Sequence, residues 1–414
     1  MVSRRGIGPG TFHAQNIDSI LQNMAKIDSV TINDLSGTLG LSRTAVKNIL
    51  NELETRGLVI QSGKGNSTTV GGKKATLYSL NPECGHFIYI SFSTEYLLVE
   101  LDDFSLQQRD YRLESIQRLE YKEVVSFVAK VIDDMLDAAG KSIDDVKGVS
   151  LAASAMIDSS RGLLIDFTGN NEAGKWGTRL DIVDDLSKEL NYHGSVYLDS
   201  FCSFSGYYAA CDTSCQSADR FMYFLAHDNG IGAAFISDGE IENGRSGIAG
   251  EIGHTTIQYD SCVLCRCGRT GCFEAMLYPT EIRKRVEEAL NKNEITEDTA
   301  RQIHSIEDLF KLANDMNSIA RCAVEKIAEM FANLLYNVQI IRDPDVILFH
   351  DSYKVQCSYF HQCIEKNIEK KAEGKMNVPV HIRFYDAPFS VSVRKGALLY
   401  IRNQYLEKIH GEEI

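Results

Sequence analysis

Between Gly250 and Glu274 the chain reads GEIGHTTIQYDSCVLCRCGRTGCFE, which puts His254, Cys265, Cys267 and Cys272 in one short loop. One imidazole and three thiolates are the borderline-soft donors that zinc takes in a closed tetrahedron, and Gly268 and Gly271 supply the turns that fold the loop around an ion. Four protein ligands leave no open coordination position, so the implied Zn2+ is structural and not catalytic. Cys262 is close enough in sequence to replace one ligand or to remain a spare thiol. The chain has 11 cysteines in 414 residues, and their crowding here reads as reduced thiols around a metal, not as an extracellular disulfide framework.

A second chemistry sits near the N-terminus. From Ser42 to Arg56, Ala45, Ile49 and Leu53 recur at helical spacing beside Val46 and Leu50, which leaves Arg43, Thr44, Lys47 and Asn48 on the opposite face. These side chains supply donors for base edges and for phosphates, which DNA recognition requires together. The elements that must hold them are three short helices, Asn16 to Ala25, Thr31 to Leu39 and Ser42 to Arg56. Thr31 and Ser42 are placed to cap the second and third, and Gly40 makes the tight turn. Val59 and Ile60, the Gly/Ser/Lys-rich segment Gln61 to Lys74 and the alternating Ala75 to Leu80 then read as a hairpin wing, with Lys64, Lys73 and Lys74 available to the DNA backbone. Residues 1–80 carry nine Lys+Arg against five Asp+Glu, a local +4, so the remainder carries −18 of the total −14. Such an asymmetry excludes a nucleic-acid binder over the whole surface and fits one small DNA-facing module on an acidic body.

Beyond Phe87 strands alternate with helices: strands Phe87 to Phe92, Tyr96 to Leu101, Val146 to Ala152, Ser195 to Leu198, Phe221 to Ala226 and Val346 to Phe349, and helices Lys122 to Ala139, Asp181 to Leu190, Thr280 to Leu290, Ser318 to Gln339 and Val391 to Glu407. That order implies α/β lobes. The expected division is a winged helix-turn-helix over 1–82, a first lobe over 83–200 completed by a C-terminal helix at 391–409, and a second lobe with the zinc loop over 201–390. No run of eighteen apolar residues occurs, and Met1 to Gly10 is basic and Gly-rich with no apolar segment behind it. Neither a membrane span nor a signal peptide is therefore expected, and the expected location is the cytoplasm.

The zinc loop resembles the signature GHxxx…CxCGxxGCxE of the ROK family (repressors, open reading frames, kinases). The N-terminal segment is similar to the winged helix-turn-helix of that family's regulators through Leu35, Gly40 to Ser42, Val46, LETRGLV at Leu53 to Val59 and GGKKATLYSLNPE at Gly71 to Glu83. The resemblance runs from Asn16 to Gln404. It implies two lobes of the actin and hexokinase type, operator DNA as partner, and a homodimer or dimer of dimers. It also implies a sugar or sugar phosphate held by Glu251, His254 and Glu274, with Asn171 of GNNEAGKWG reaching the sugar as well, while Trp176 reads as core. A carboxylate accepts from two hydroxyls, which suits vicinal diols.

The family's kinase motifs, by contrast, are altered. Ser91, Phe92, Ser93, Thr94 and Glu95 stand where the kinases carry DxGGT. Asp199, Ser200, Phe201, Cys202 and Ser203 stand where they carry ENDANAAA, and the register that reads most naturally puts Phe201 at the base position, with Ser200 as an alternative and Asp199 only after a shift of the loop. Asn229, Gly230, Ile231 and Gly232, preceded by His227 and Asp228, keep part of a phosphate turn, and His350 and Asp351 replace a glycine pair at the adenosine loop. Phosphoryl transfer needs backbone open to phosphate, a metal-binding carboxylate and a base. The expectation is a sugar-responsive regulator, a repressor in the commoner family outcome, whose sensor has no catalytic residues. An active sugar kinase with a DNA-binding appendage, and a regulator that answers to a protein partner, are the alternatives.

Overall fold

The computed structural model of the chain describes residues 9–65, 74–93, 96–166, 176–211, 218–227, 230–292, 294–351, 357–373 and 378–411. The N-terminal unit is built from α1 (Pro9–Lys26), α2 (Ile32–Leu39), α3 (Arg43–Thr55), β1 (Val59–Lys64) and β2 (Thr76–Leu80). Local chemistry fixes its boundaries. The Thr31 hydroxyl accepts from the Asp34 N–H at 3.2 Å while the Asp34 carboxylate accepts from the Thr31 N–H at 2.9 Å, a closed capping box. Gly40 ends α2 at φ 66, a left-handed conformation that costs glycine nothing. Two residues later the Ser42 hydroxyl accepts from the Ala45 N–H at 3.2 Å and starts α3. Val46, Ile49, Leu50 and Leu53 are buried, and they share one core with Ile20, Leu21 and Leu35. Ser42→Ala is expected to cost about 1 kcal/mol, read as an earlier melt of this unit by calorimetry. β1 and β2 pair antiparallel from Val59↔Leu80 to Lys64↔Thr76, and an isolated bridge joins Val30 to Tyr78 of β2.

The first sheet is ordered β10-β6-β3-β4-β5, from β3 (His86–Phe92), β4 (Tyr96–Asp103), β5 (Gln108–Ser115), β6 (Val146–Ala153) and β10 (Val196–Ser200). β10, β6 and β3 run parallel, and β4 and β5 add antiparallel. Along β3, Ile88, Ile90 and Phe92 pack with α4 (Tyr121–Ala138) and α5 (Ile182–Glu189), while Phe87 and Tyr89 face the last helix, α12 (Phe389–Gly411). Both faces are buried, which explains the unbroken apolar run. A small sheet, β7 (Met156–Asp158), β8 (Leu163–Asp166) and β9 (Thr178–Leu180), lies between β6 and α5 in the chain.

The second sheet is ordered β13-β12-β11-β14-β15, from β11 (Arg220–His227), β12 (Gly230–Ser237), β13 (Glu240–Ile241), β14 (Val346–Asp351) and β15 (Ile382–Phe384). One face, with Phe224 and Phe349, packs under α9 (Ile306–Asn314), α10 (Ser318–Arg342) and α11 (Ser358–Ala372); α7 (Pro279–Asn291) and α8 (Glu297–Ala300) complete that side of the chain. The other face, with Tyr223, Leu225 and Ala234, meets α6 (Phe201–Cys211). α6 in turn packs along α12, which lies on β6 and β3 of the first sheet. These two helices are the layer between the sheets. Among the described residues, no helix is long and apolar enough to cross a membrane.

Candidate metal centre, sugar cleft and DNA face

The metal loop begins at Gly250, where φ is +98 and a Cβ would lie 2.0 Å from the Ala233 carbonyl oxygen, so only glycine fits. It continues through the helical turn Ile252–His254 and is zipped by bridges Thr256↔Cys272 and Leu264↔Thr270. This brings the donor atoms of His254, Cys265, Cys267 and Cys272 within 4.8 Å of one another. His254 Nδ1 is 3.4 Å from Cys265 Sγ, and Cys267 Sγ is 3.6 Å from Cys272 Sγ. Ligand bonds of about 2.0–2.3 Å in a tetrahedron put donors roughly 3.5–3.8 Å apart, so the four fit a small dication. A sulfur separation of 3.6 Å is far beyond a disulfide's roughly 2.05 Å. Cys262 is exposed and outside the group. Arg269 donates to the His254 carbonyl at 2.7 Å and fixes the turn from behind.

The same imidazole stands between two carboxylates, with Glu251 Oε2 3.7 Å from Nε2 and Glu274 Oε1 3.7 Å from Nδ1. Glu274 is only 3% exposed and accepts from Arg266 Nε at 2.9 Å, Arg266 Nη2 at 3.1 Å, the Tyr278 hydroxyl at 3.0 Å and the Ile231 N–H at 3.3 Å. A carboxylate has about four acceptor positions, and these donors take them. Glu274 therefore ties the metal loop to the β11–β12 turn, where Gly230 leaves room for the guanidinium: a Cβ there would lie 2.6 Å from Arg266 Nη2. Glu251 keeps more of its surface, its side chain 29% exposed; desolvation and the Glu274 carboxylate raise it to about 7.

Asp199 ends β10. Its carboxylate accepts from the Ser200 N–H at 2.7 Å and from Asn243 Nδ2 at 2.8 Å, and burial raises its pKa. Asn243, which follows β13 of the second sheet, was not singled out by the sequence, because nothing local marks a residue whose partner is 44 positions away. Burial raises the Cys202 thiol, and the Glu251 and Asp199 carboxylates are both near enough to raise it further. Phe201, which the sequence register put at the base position, packs edge-on against Phe389 of α12 at 5.8 Å, and Asp199 of β10 pairs with Ala152 of β6. The reason is that α6 starts at Phe201 and turns that ring into the seam with α12.

Other altered motifs are filled with side chains. Phe92 is buried edge-on against Trp176, which is itself core and donates to the Leu119 carbonyl at 3.1 Å; the Ser93 hydroxyl accepts from the Tyr96 N–H at 2.9 Å. His350 is buried and bonded through Nδ1 to the Tyr223 hydroxyl, and Asp351 is 3.2 Å from His361. Thr94, Glu95, Asn171, Asp228 and Asn229 lie outside the described residues.

On α3, Arg43, Thr44, Lys47 and Asn48 are all exposed, at positions that share one face. Lys74 is exposed beside the wing, Lys64 donates to the Thr76 hydroxyl at 2.7 Å, and Lys73 lies outside the described residues.

Residues 103–392 match the profile of the ROK family. The chain is 24% identical over 386 residues to the xylose repressor of Caldicellulosiruptor bescii, covering 92% of this chain and 90% of that one. The crystal structure of a ROK family transcriptional regulator, a homolog of the E. coli MLC protein, superposes with a TM-score of 0.72 at 19% identity, over 97% of this chain and 100% of that chain. The ROK hexokinase from Thermus thermophilus superposes with a TM-score of 0.58 at 16% identity, over 76% of this chain and 97% of that enzyme. These superpositions establish the fold, an α/β body of the two-lobed actin and hexokinase type behind N-terminal helices. The family profile spans well over half of the chain, which therefore belongs to the ROK family.

Proposed function

We propose that the chain is a sugar-responsive DNA-binding transcription regulator, a repressor, whose sensor binds a sugar or sugar phosphate and does not phosphorylate it. The observation that carries this reading is a capped helix-turn-helix with four exposed polar residues on one face of α3, attached to a body in which Phe92 and His350, at two of the altered kinase motifs, are buried. Operator DNA meets Arg43, Thr44, Lys47 and Asn48, with Lys73 and Lys74 on the wing, and a homodimer or dimer of dimers sets the half-site spacing. The sugar meets Asn171, Glu251 and His254, with Glu274 holding the pocket wall. Zn2+ at His254, Cys265, Cys267 and Cys272 supplies a fixed loop and no chemistry of its own. The effector acts by binding one arrangement of the protein better than another.

The test is selection of DNA fragments by the full chain, followed by titration with neutral and phosphorylated monosaccharides, D-xylose first. Lys47→Ala is expected to weaken every fragment alike and lower the salt slope by about 1, whereas Asn48→Ala relaxes base preference at one position by about 1–3 kcal/mol. Unchanged binding in both variants defeats the reading. Retention of Asp199 at the cleft favours one second reading, a sugar kinase with a DNA-binding head. Turnover of ATP with a hexose panel, abolished by Asp199→Asn, decides for it.

A further inference from the structure

Arg402 is 2% exposed, deep in α12, yet no carboxylate hydrogen-bonds to it among the described residues. Its one described hydrogen bond runs from Nη2 to the carbonyl of Ala25 at 2.8 Å, and its Nε has no partner. Ala25 is the penultimate residue of α1, so this oxygen is one of the last-turn carbonyls that have no partner within the helix and carry its negative end. A buried cation is costly unless something compensates it. Here the group that accepts its hydrogen bond belongs to the DNA-binding unit, and the Asp103 carboxylate of the first lobe adds attraction without a described bond. Burial is also the main reason that Arg402 titrates low, at about 10.

The helix that carries Arg402 is fixed over its first turns. Near its start, Arg394 pairs with Glu100 and Asp102 of β4. At Gly396 it touches backbone: a Cβ there would lie 1.8 Å from the Phe204 carbonyl oxygen of α6. α6 begins two residues after Asp199, which Asn243 of the second sheet's side holds. One unbroken set of packed elements therefore leads from the cleft to α1.

We infer that Arg402 is a latch that fixes the orientation of the DNA-binding unit on the sensor through the carboxyl end of α1, and that effector binding in the cleft acts on DNA affinity through this bond. The second half rests on the regulator reading above; the first half does not. An effector hydroxyl that reaches past the Glu251 contact to Asp199 competes with Asn243 for its carboxylate, α6 and α12 shift together, and the Ala25 carbonyl is drawn away from a cation whose described hydrogen bond it supplies. Arg402 is a positioning residue, for it touches neither DNA nor cleft.

The test uses the full chain. In Arg402→Met, which keeps length but removes charge, hydrogen exchange in peptides covering residues 19–26 is expected to rise at least tenfold while peptides from β6 and α4 stay as in wild type. Unchanged exchange at 19–26 overturns the latch. Arg402→Lys restores the cation and is expected to recover most of the protection; a lysine variant no better than methionine reduces the effect to lost packing and also overturns it. For the coupling, the affinity for a fragment selected by wild type is measured with and without D-xylose. The ratio is expected to fall toward one in Arg402→Met, with D-xylose affinity by calorimetry within twofold of wild type, and a ratio that persists overturns the coupling. Failure of wild type to bind D-xylose or any sugar of the panel counts against the regulator reading, while the exchange results still decide the latch.

Discussion

Replacing Cys272 by Ser is expected to strip the protein of stoichiometric zinc and to lower its first thermal transition by on the order of 10 °C. Cys272 is fully buried in the small core that it shares with Cys265 and Ala275, and its sulfur lies 3.4 Å from the His254 carbonyl oxygen, so it lies at the centre of the loop. Structural zinc supplies about 10–16 kcal/mol of apparent binding free energy in small domains, and a serine hydroxyl is a poor replacement for a thiolate in a closed site. Several kcal/mol lost from a unit of roughly this size moves a midpoint by about 2–4 °C per kcal/mol. Metal analysis by plasma emission and calorimetry read the two effects. Cys262→Ser is the matched control: exposed and outside the four-donor group, it is expected to leave metal content and melting unchanged. Zinc loss in the Cys262 variant, or full retention in the Cys272 variant, would show that the ligand set is wrong.

The features legible in sequence were those whose partners are near in the chain. The capping box at Thr31, the left-handed Gly40 and the Ser42 cap are each closed within three residues or so, and the sequence placed α2 and α3 to within a residue. The candidate metal ligands other than His254 lie in eight residues, and the turns between them are glycines. α6 escaped because it is buried from two sides, by α12 and by the second sheet, and so has no polar stripe for periodicity to find. β5 is an edge strand with exposed Tyr111 and Leu113, and β7 to β9 are three or four residues long, too short for alternation to register. Within the pocket, the sequence could name Glu274 but not what it bonds to, because Arg266, Tyr278 and Ile231 converge only when the loop is folded. The same limit hid Asn243 and Arg402, whose roles depend on partners 44 and 377 positions away.

The seam between α6 and α12 yields the other large expected effect. In Gly396→Ala the new Cβ would lie 1.8 Å from the Phe204 carbonyl oxygen and 2.5 Å from its carbon, and backbone atoms cannot rotate out of the way. Nor can α6 retreat easily, because at Gly206 its far side already faces Ala234 and Tyr223, whose Cβ atoms would lie 3.1 and 3.2 Å from an added Cβ. Overpacking typically costs about 1–3 kcal/mol where side chains can adjust. With backbone on one side and a sheet on the other, Gly396→Ala is expected at or above the upper end, a fall of about 6–12 °C in the midpoint of the lobes. Gly37→Ala is the contrast, for Gly37 is an exposed position in α2 with nothing within 4 Å of an added Cβ, and relief of the helical glycine penalty is expected to stabilise by about 0.5–1 kcal/mol. If Gly396→Ala melted with wild type, the two helices would have to be free to separate by more than an ångström, and a seam that loose could not carry a displacement from Asp199 to Arg402.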